Sequence, residues 1–334
     1  MKSLHIFDDD TIKWRQGDRL YCLHIHHDND AESPREWDGQ LTTMACWHRR
    51  YHLGDMTKDS DAEAFWRRLV RENVPWAELM GKAKKGDLPG IRVERNSENP
   101  ALVDVYETYY LSTVLGKSKA KESLEYKAVS EGTAADYIMD DLTIRHCMTL
   151  MEPYALWMPL WLYDHSGLTI SCGEASPFID RWDTSCVGWI VAAKDTIMKE
   201  TVEYVLDENG ERIRVEHEHE NAPATWSWLT KPLTEDTWRN RAREILESDV
   251  EIYDAYLTGD VYGYTLYDAE TPADTDDFDS VAWEEIESCY GFYGDDLLEN
   301  GICGNIGRGL AEAVAAGEIE KGRAKLCSYS YYRL

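Results

Sequence analysis

Between Arg243 and Arg308 the chain runs for 64 residues without a lysine, an arginine or a histidine, and that stretch carries 18 carboxylates, from Glu244 to Glu299. It also holds seven tyrosines: Tyr253, Tyr256, Tyr262, Tyr264, Tyr267, Tyr290 and Tyr293. Three readings follow. One is a solvated acidic face, with a loop at Asp268–Asp279, that serves solubility. Another is a calcium loop using Asp274, Asp276 and Glu285, but Phe278 stands where the fifth-position ligand is needed and Asp279 where the glycine belongs. The third is a docking surface. It sets Asp274, Asp276, Asp277, Asp279, Glu284, Glu285 and Glu287, with Tyr262, Tyr264, Tyr290 and Tyr293 as aromatic contacts, against a basic groove. Duplex DNA shows one charge per about 1.7 Å of axis, and enzymes that hold it line their channels with lysine and arginine. Carboxylates at comparable density compete for such a channel.

The stretch supplies 18 of the 28 net negative charges of a 334-residue chain, in which 35 Lys and Arg face 63 Asp and Glu. That balance excludes a protein whose whole surface grips nucleic acid by neutralising phosphates, and it opposes binding to anionic lipid. No run of about 18 apolar residues predicts a membrane span. The start, Met1 to Asp10, has neither a long apolar core nor a small-residue cleavage site, so no signal peptide is expected. With 43% hydrophobic and 11% aromatic residues the chain has the material for a core. Eight cysteines (Cys22, Cys46, Cys147, Cys172, Cys186, Cys289, Cys303, Cys327) include no CxxC pair and read as reduced thiols in a cytoplasm.

The expected fold class is α+β: a mainly antiparallel sheet with a helical insertion and a long acidic C-terminal helix. Residues 1–59 give N-terminal strands, 60–150 the helical insertion, and 151–334 the remaining sheet, the long helix and the acidic region, in one compact unit. Alternation predicts a strand over 18–27, with Cys22, His24 and His26 on one face, paired as a long-looped hairpin with a strand near Leu41–Tyr51. Helices are expected from Asp61, from Pro75-Trp76, over Leu102–Leu115 and over Thr133–Met151, with a basic loop at Lys82–Gly90. Strands follow at Tyr154–Tyr163, Gly167–Cys172 and Cys186–Ala193, then a short helix at Lys194–Val202 and a hairpin turning at Glu208-Asn209-Gly210. The longest helix is expected over Thr234–Leu257, and the last strands at Val261–Tyr267 and Ala324–Arg333.

Several constellations have the residue types of chemistry without its spacing. Cys22, His24 and His26, with Cys46, His48 and His52 on the expected partner strand, offer soft and imidazole ligands for zinc in no standard pattern. Glu216-His217-Glu218-His219-Glu220 reads as a solvent-facing hairpin end. Asp164-His165-Ser166 points its adjacent side chains to opposite faces and cannot form a relay within itself. Gly81 to Asp87 departs from a phosphate loop where Asp87 replaces the lysine, and Gly301, Gly304, Gly307 and Gly309 read as turns and caps. Trp157, Trp161, Trp182 and Trp189 with Gly291-Phe292-Tyr293-Gly294 compose an alternative aromatic pocket for a nucleotide or signal, in which His165, Trp182, Asp183 and Trp189 are the ligand residues.

Five segments resemble a family of bacteriophage and prophage accessory proteins whose motifs carry no assigned role. They are Glu32-Ser33-Pro34-Arg35-Glu36-Trp37-Asp38 through Cys46-Trp47-His48-Arg49-Arg50-Tyr51-His52-Leu53-Gly54-Asp55; Leu162-Tyr163-Asp164-His165-Ser166-Gly167; Trp182-Asp183 through Val187-Gly188-Trp189-Ile190; Gly259-Asp260-Val261-Tyr262-Gly263-Tyr264; and Cys289-Tyr290-Gly291-Phe292-Tyr293-Gly294. The resemblance spans roughly residues 20–295. Thr184-Ser185-Cys186 stands where that family tends to place Ser-Gly-Gln. The resemblance implies the cytoplasm of an infected bacterium and a host defence protein, a nuclease or nucleic-acid-binding complex, as partner. The function expected is an inhibitor of anti-CRISPR or anti-restriction type that acts by stoichiometric binding. No catalytic residue, cofactor, direct nucleic-acid contact or membrane contact is expected; a metal-dependent enzyme using the Cys/His strands is the further alternative.

Overall fold

The structure is a computed structural model, and it describes residues 3–112, 118–219, 222–270 and 281–323. In chain order these form β1 (Asp10–Gln16), β2 (Arg19–His27), a 3-10 turn at Pro34–Glu36, β3 (Thr42–Cys46), α1 (Ala62–Asn73), α2 (Trp76–Lys85), β4 (Ile91–Arg95), β5 (Val103–Ser112) and β6 (Ser118–Val129). Next come α3 (Glu131–Asp141), α4 (Ile144–Met151), β7 (Ala155–Asp164), β8 (Leu168–Cys172), β9 (Thr184–Ala193), α5 (Lys194–Glu200), β10 (Val202–Tyr204), β11 (Arg214–His219), β12 (Ala222–Trp228) and β13 (Thr230–Pro232). The last are α6 (Trp238–Thr258), β14 (Val261–Glu270), β15 (Glu284–Tyr293), α7 (Ile302–Ile306), α8 (Leu310–Ala316) and β16 (Ile319–Arg323). The protein is thus mixed α and β, with antiparallel pairing in every strand register described. None of the described helices is long and apolar enough to cross a membrane.

Two compact units divide the chain. The first is built from residues 1–40, 160–186 and 247–334, the second from 41–159 and 187–246. The first unit holds a five-stranded sheet in the order β15-β14-β2-β1-β16. One face of that sheet supplies Ile12, Trp14, Leu23, Ile25, Tyr264 and Leu266, which pack with Ile302, Ile306, Leu310 and Val314 of the two short helices. The alternation of strands explains this face, since successive side chains point to opposite sides. Pairing of Leu160–Asp164 with Leu168–Cys172 adds a hairpin.

The second unit packs α1, α2, α3 and α4 with the antiparallel sheet β4-β5-β6 around Phe65, Trp66, Leu69, Val70, Leu79, Ile138 and Leu150. Helix α1 starts where the Asp61 carboxylate accepts the Ala64 N–H at 2.9 Å, satisfying a donor that no helical carbonyl reaches. β3 pairs with β9 in this unit, Ala45 opposite Trp189 and Cys46 opposite Gly188. A β carbon on Gly188 would stand 1.9 Å from the Ala45 carbonyl oxygen, so only glycine fits there.

Several expectations are corrected. The 60–150 segment is not wholly helical: Val103–Ser112 is a strand, because Val103 and Val105 alternate with polar residues and both enter the core. Residues 133–151 form two helices rather than one. The first is capped by Ser130 rather than Thr133, and the second by Thr143, whose hydroxyl and the His146 ring form a reciprocal capping box. β2 does not pair with the 41–51 strand. It lies between β14 and β1, a strand that the sequence pattern does not announce. The long helix begins at Trp238 rather than Thr234, whose hydroxyl bonds instead to that of Thr237 at 3.2 Å, and it is not the acidic C-terminal helix expected: its 21 residues carry five carboxylates against three arginines, and β14, β15, α7, α8 and β16 follow it. All three lysines of the expected basic loop, Lys82, Lys84 and Lys85, lie in the last turn of α2, which Gly86 closes in the left-handed region. The expected closing strand at 324–333 and the loop residues 271–280 lie outside the described residues.

Candidate functional site

Charge is divided unevenly between the two units. The first carries 33 Asp and Glu against 11 Lys and Arg, a net −22; the second carries 30 against 24, a net −6. The acidic stretch falls almost wholly in the first unit, along α6, β14, β15 and the turn that follows. Some of its carboxylates are matched: Asp249 pairs with Arg35 at 3.2 Å, Asp268 with Arg19 at 3.1 Å, and Glu287 with Arg308 at 3.1 Å. Glu284 and Glu285 stand exposed at the start of the edge strand β15 and have no basic partner among the described residues. Asp274, Asp276, Asp277 and Asp279 lie outside the described residues.

The four tyrosines proposed beside them divide. Tyr262 and Tyr264 are buried in the core and do not form a surface, because β14 is an interior strand whose Tyr262, Tyr264 and Leu266 pack with α7 and α8. The Tyr264 hydroxyl meets Asn305 Oδ1 at 2.6 Å, and burial, with the nearby Glu287 carboxylate, pushes it up to about 12. Tyr290 is exposed and lays its ring over Gly263, where a β carbon would come within 2.4 Å of it. Gly291, at φ +84, sits beside the register shift that sets this ring in place. Tyr293 donates its hydroxyl to the Glu32 carbonyl and meets the Trp37 ring edge-on. The Glu32–Trp37 motif is therefore structural. Ser33 caps its 3-10 turn, and the Arg35 side chain, only 3% exposed, is buried against Asp249.

The second assembly unites two segments of the resemblance. The Asp164 N–H donates to the Asp183 carbonyl at 2.9 Å, and the His165 ring meets the Asp183 carboxylate through Nδ1 at 2.8 Å. Tyr163 stacks with both His165 and Phe178, ring centroids 5.9 and 5.4 Å away. The intervening loop, 173–183, is held at its start by the Trp161 indole N–H on the Gly173 carbonyl, 2.9 Å. Its end is held by Asp180, which accepts the Trp182 N–H at 2.8 Å and, through its carbonyl, the Thr184 hydroxyl. Ile179 and Trp182 project from this frame, 98% and 96% exposed. No family model, curated protein or solved structure matches this chain.

That geometry bears on the alternatives. Asp183 fixes one nitrogen of His165, but no hydroxyl or thiol lies within hydrogen-bond reach of the other among the described residues, so a nucleophile–base relay is not assembled there. Trp189 does not join His165, Trp182 and Asp183. It belongs to the second unit, edge-to-face with Trp66 and Trp47, where Trp157 also packs. The Cys/His set is divided in the same way. Cys22, His24 and His26 share a face of β2 in the first unit, while Cys46, His48 and His52 lie in the second. Their strands are not partners, and among the described residues no three of His, Cys, Asp and Glu gather as a metal site. Burial pushes the Cys22 thiol up to about 12, far from thiolate, and holds the His26 ring below its ordinary value, with His24 adding repulsion. His217 bonds Ser227 at 2.8 Å on the exposed β11–β12 hairpin. Sequence reasoning missed Ile179; its signal is an apolar pair, Phe178-Ile179, directly before the charged pair Asp180-Arg181.

Proposed function

We propose that this protein is a stoichiometric inhibitor that docks its acidic unit onto a basic, nucleic-acid-binding surface of a host antiviral defence protein, of anti-CRISPR or anti-restriction type. The observation that carries this reading is the concentration of a net −22 in one unit, with carboxylates at the exposed end of its edge strand that meet no cation among the described residues. The exposed acidic residues of α6 beyond residue 246, Glu247 and Glu251, belong to the same unit and extend that surface. The phage setting, and with it the cytoplasm of an infected bacterium, comes from the sequence resemblance. A field of this strength steers a basic partner and raises association rates by about 10- to 1,000-fold, an effect that salt suppresses over a screening length of about 10 Å at 0.1 M.

The test is titration of the purified protein into nuclease assays of the host's restriction and RNA-guided enzymes across a salt series. The expected result is inhibition that saturates at a fixed protein-to-enzyme ratio, weakens with salt and is competed by DNA. Neutralising Asp276, Asp277, Asp279, Glu284 and Glu285 together to Asn or Gln is expected to abolish it. Undiminished potency of that variant at low salt refutes the charge-based reading.

A further inference from the structure

The loop 173–183 places an isoleucine and a tryptophan close together in sequence and almost wholly in solvent, 98% and 96% exposed. Its backbone is tied at both ends by the bonds of Trp161, Asp180, Asp183 and Asp164. Phe178 anchors its middle, stacked on Tyr163 with centroids 5.4 Å apart and with its N–H on the Ser176 hydroxyl at 3.1 Å. The two apolar side chains are thus presented on a fixed frame, so ordering them on binding costs little further entropy. Tryptophan is the residue type most enriched among the few that carry interface energy.

We infer that this loop is the apolar anchor by which the acidic unit engages a protein: Ile179 and Trp182 enter an apolar pocket whose rim carries lysine or arginine. The inference rests on the reading that the unit docks on a basic protein surface, and it adds the contact that fixes orientation. Charge selects this occupant over others. Residues 160–186 contain Asp164, Glu174, Asp180 and Asp183 against one cation of fixed charge, Arg181. Trp182 has two of those acids within two residues of it in the chain. A tryptophan and an isoleucine in such surroundings are repelled from anionic bilayers and from the phosphates beside any base they might stack on. A second copy of the chain would bring the same four acids. A rim of opposite sign is the complement.

The test uses the full chain, an Ile179→Ser/Trp182→Ser variant, and the five-fold charge-neutralised variant. Each is immobilised and exposed to soluble extract of the bacterial host. Retained proteins are identified and purified, and their affinity is measured at several salt concentrations, with hydrogen exchange on the complex. Because both loop side chains lie in solvent, the loop variant is expected to melt with the wild type. The expected result is one basic protein whose affinity falls about 30-fold or more in the loop variant, with an unchanged salt slope and exchange protection over 173–183 in the wild-type complex. The charge variant is expected to lose the salt slope. Binding of the loop variant within about twofold of wild type, with the charge variant still impaired, overturns the anchor and leaves the docking reading standing. Loop-dependent binding of a basic partner with no salt dependence keeps the apolar contact but overturns its charged rim and refutes the docking reading. Sedimentation with anionic or zwitterionic phospholipid vesicles, or dimerisation, that the loop variant alone lacks overturns the assignment to a protein partner. Retention of no basic protein by the wild type overturns both.

Discussion

Replacing Asp254 by asparagine isolates one buried charge. Asp254 lies on α6, and its carboxylate accepts the Ile170 N–H of β8 at 2.7 Å. Burial pushes it from an ordinary 3.8 to about 6, against the hydrogen bond, which favours the ionised form; the nearby Asp260 carboxylate adds to the rise. A shift of this size converts to about 3 kcal/mol at 1.36 kcal/mol per unit. The group is not fully removed from water, and screening reduces the expected effect to about 1–2 kcal/mol. The sign follows from linkage. A carboxyl whose folded pKa is raised contributes its full stability below the unfolded value, and that contribution is lost as pH rises through about 6. Asparagine keeps an oxygen for the Ile170 N–H and never ionises. The variant is therefore expected to be more stable than wild type by about 1–2 kcal/mol at pH 7.5, and the advantage should shrink to under about 1 kcal/mol by pH 4.5. Urea denaturation at a series of pH values, followed by exchange of the Ile170 amide so that the first unit is read separately, measures it. An asparagine variant less stable than wild type at pH 7.5, or an advantage that does not shrink on acidification, refutes burial as the main cause of the raised carboxyl pKa.

Arg35→Met leaves the Asp249 carboxylate without the guanidinium it meets at 3.2 Å; denaturation should show a loss of about 3 kcal/mol, most of it recovered in the Arg35→Met/Asp249→Leu double variant. Gly188→Ala forces a β carbon against the Ala45 carbonyl and is expected to cost about 3 kcal/mol in the second unit, by opening the β3–β9 ladder. Burial first, then the Asp141 carboxyl and Glu125, raise Glu107 from 4.5 to about 7. The second unit should accordingly lose stability as pH rises through that window, and Glu107→Gln should flatten the loss in thermal melts between pH 5 and 8.

The elements that sequence reasoning places correctly are those with a local signal. β7, β8 and β14 alternate, β9 is a run of apolar residues buried consecutively at Ile190, Val191 and Ala192, and α1 announces itself with an aspartate cap before Phe65, Trp66, Leu69 and Val70. What fails is non-local. Nothing near Leu41 tells that strand to choose β9 rather than β2, because strand partners are selected by the faces they jointly bury. The Val103–Ser112 strand passes for a helix because its short apolar run fits either period; the register with β4 and β6 decides it. The acidic block is legible as composition, but its confinement to one unit is not, since that unit is assembled from three separated pieces of chain. Tyr262 and Tyr264 look like surface aromatics in a carboxylate-rich segment, yet alternation along β14 turns them inward. The meeting of His165 with Asp183 depends on a loop whose path no local pattern specifies.

β1 takes one of its two partners, β16, from the other end of the chain: Asp10 faces Arg323 and Trp14 faces Ile319. β2 likewise waits for β14. At about 5–20 residues per second, a ribosome that has released the first hairpin needs roughly 15–60 s to deliver its last neighbour. During that interval the second unit, complete once residue 246 has emerged, is free to form. Ile12, Trp14, Leu23 and Ile25 meanwhile lack the helices that cover them. The nascent N-terminal hairpin is therefore the stage at which a folding helper has most to hold, and a stall late in translation strands this sheet rather than the helical half.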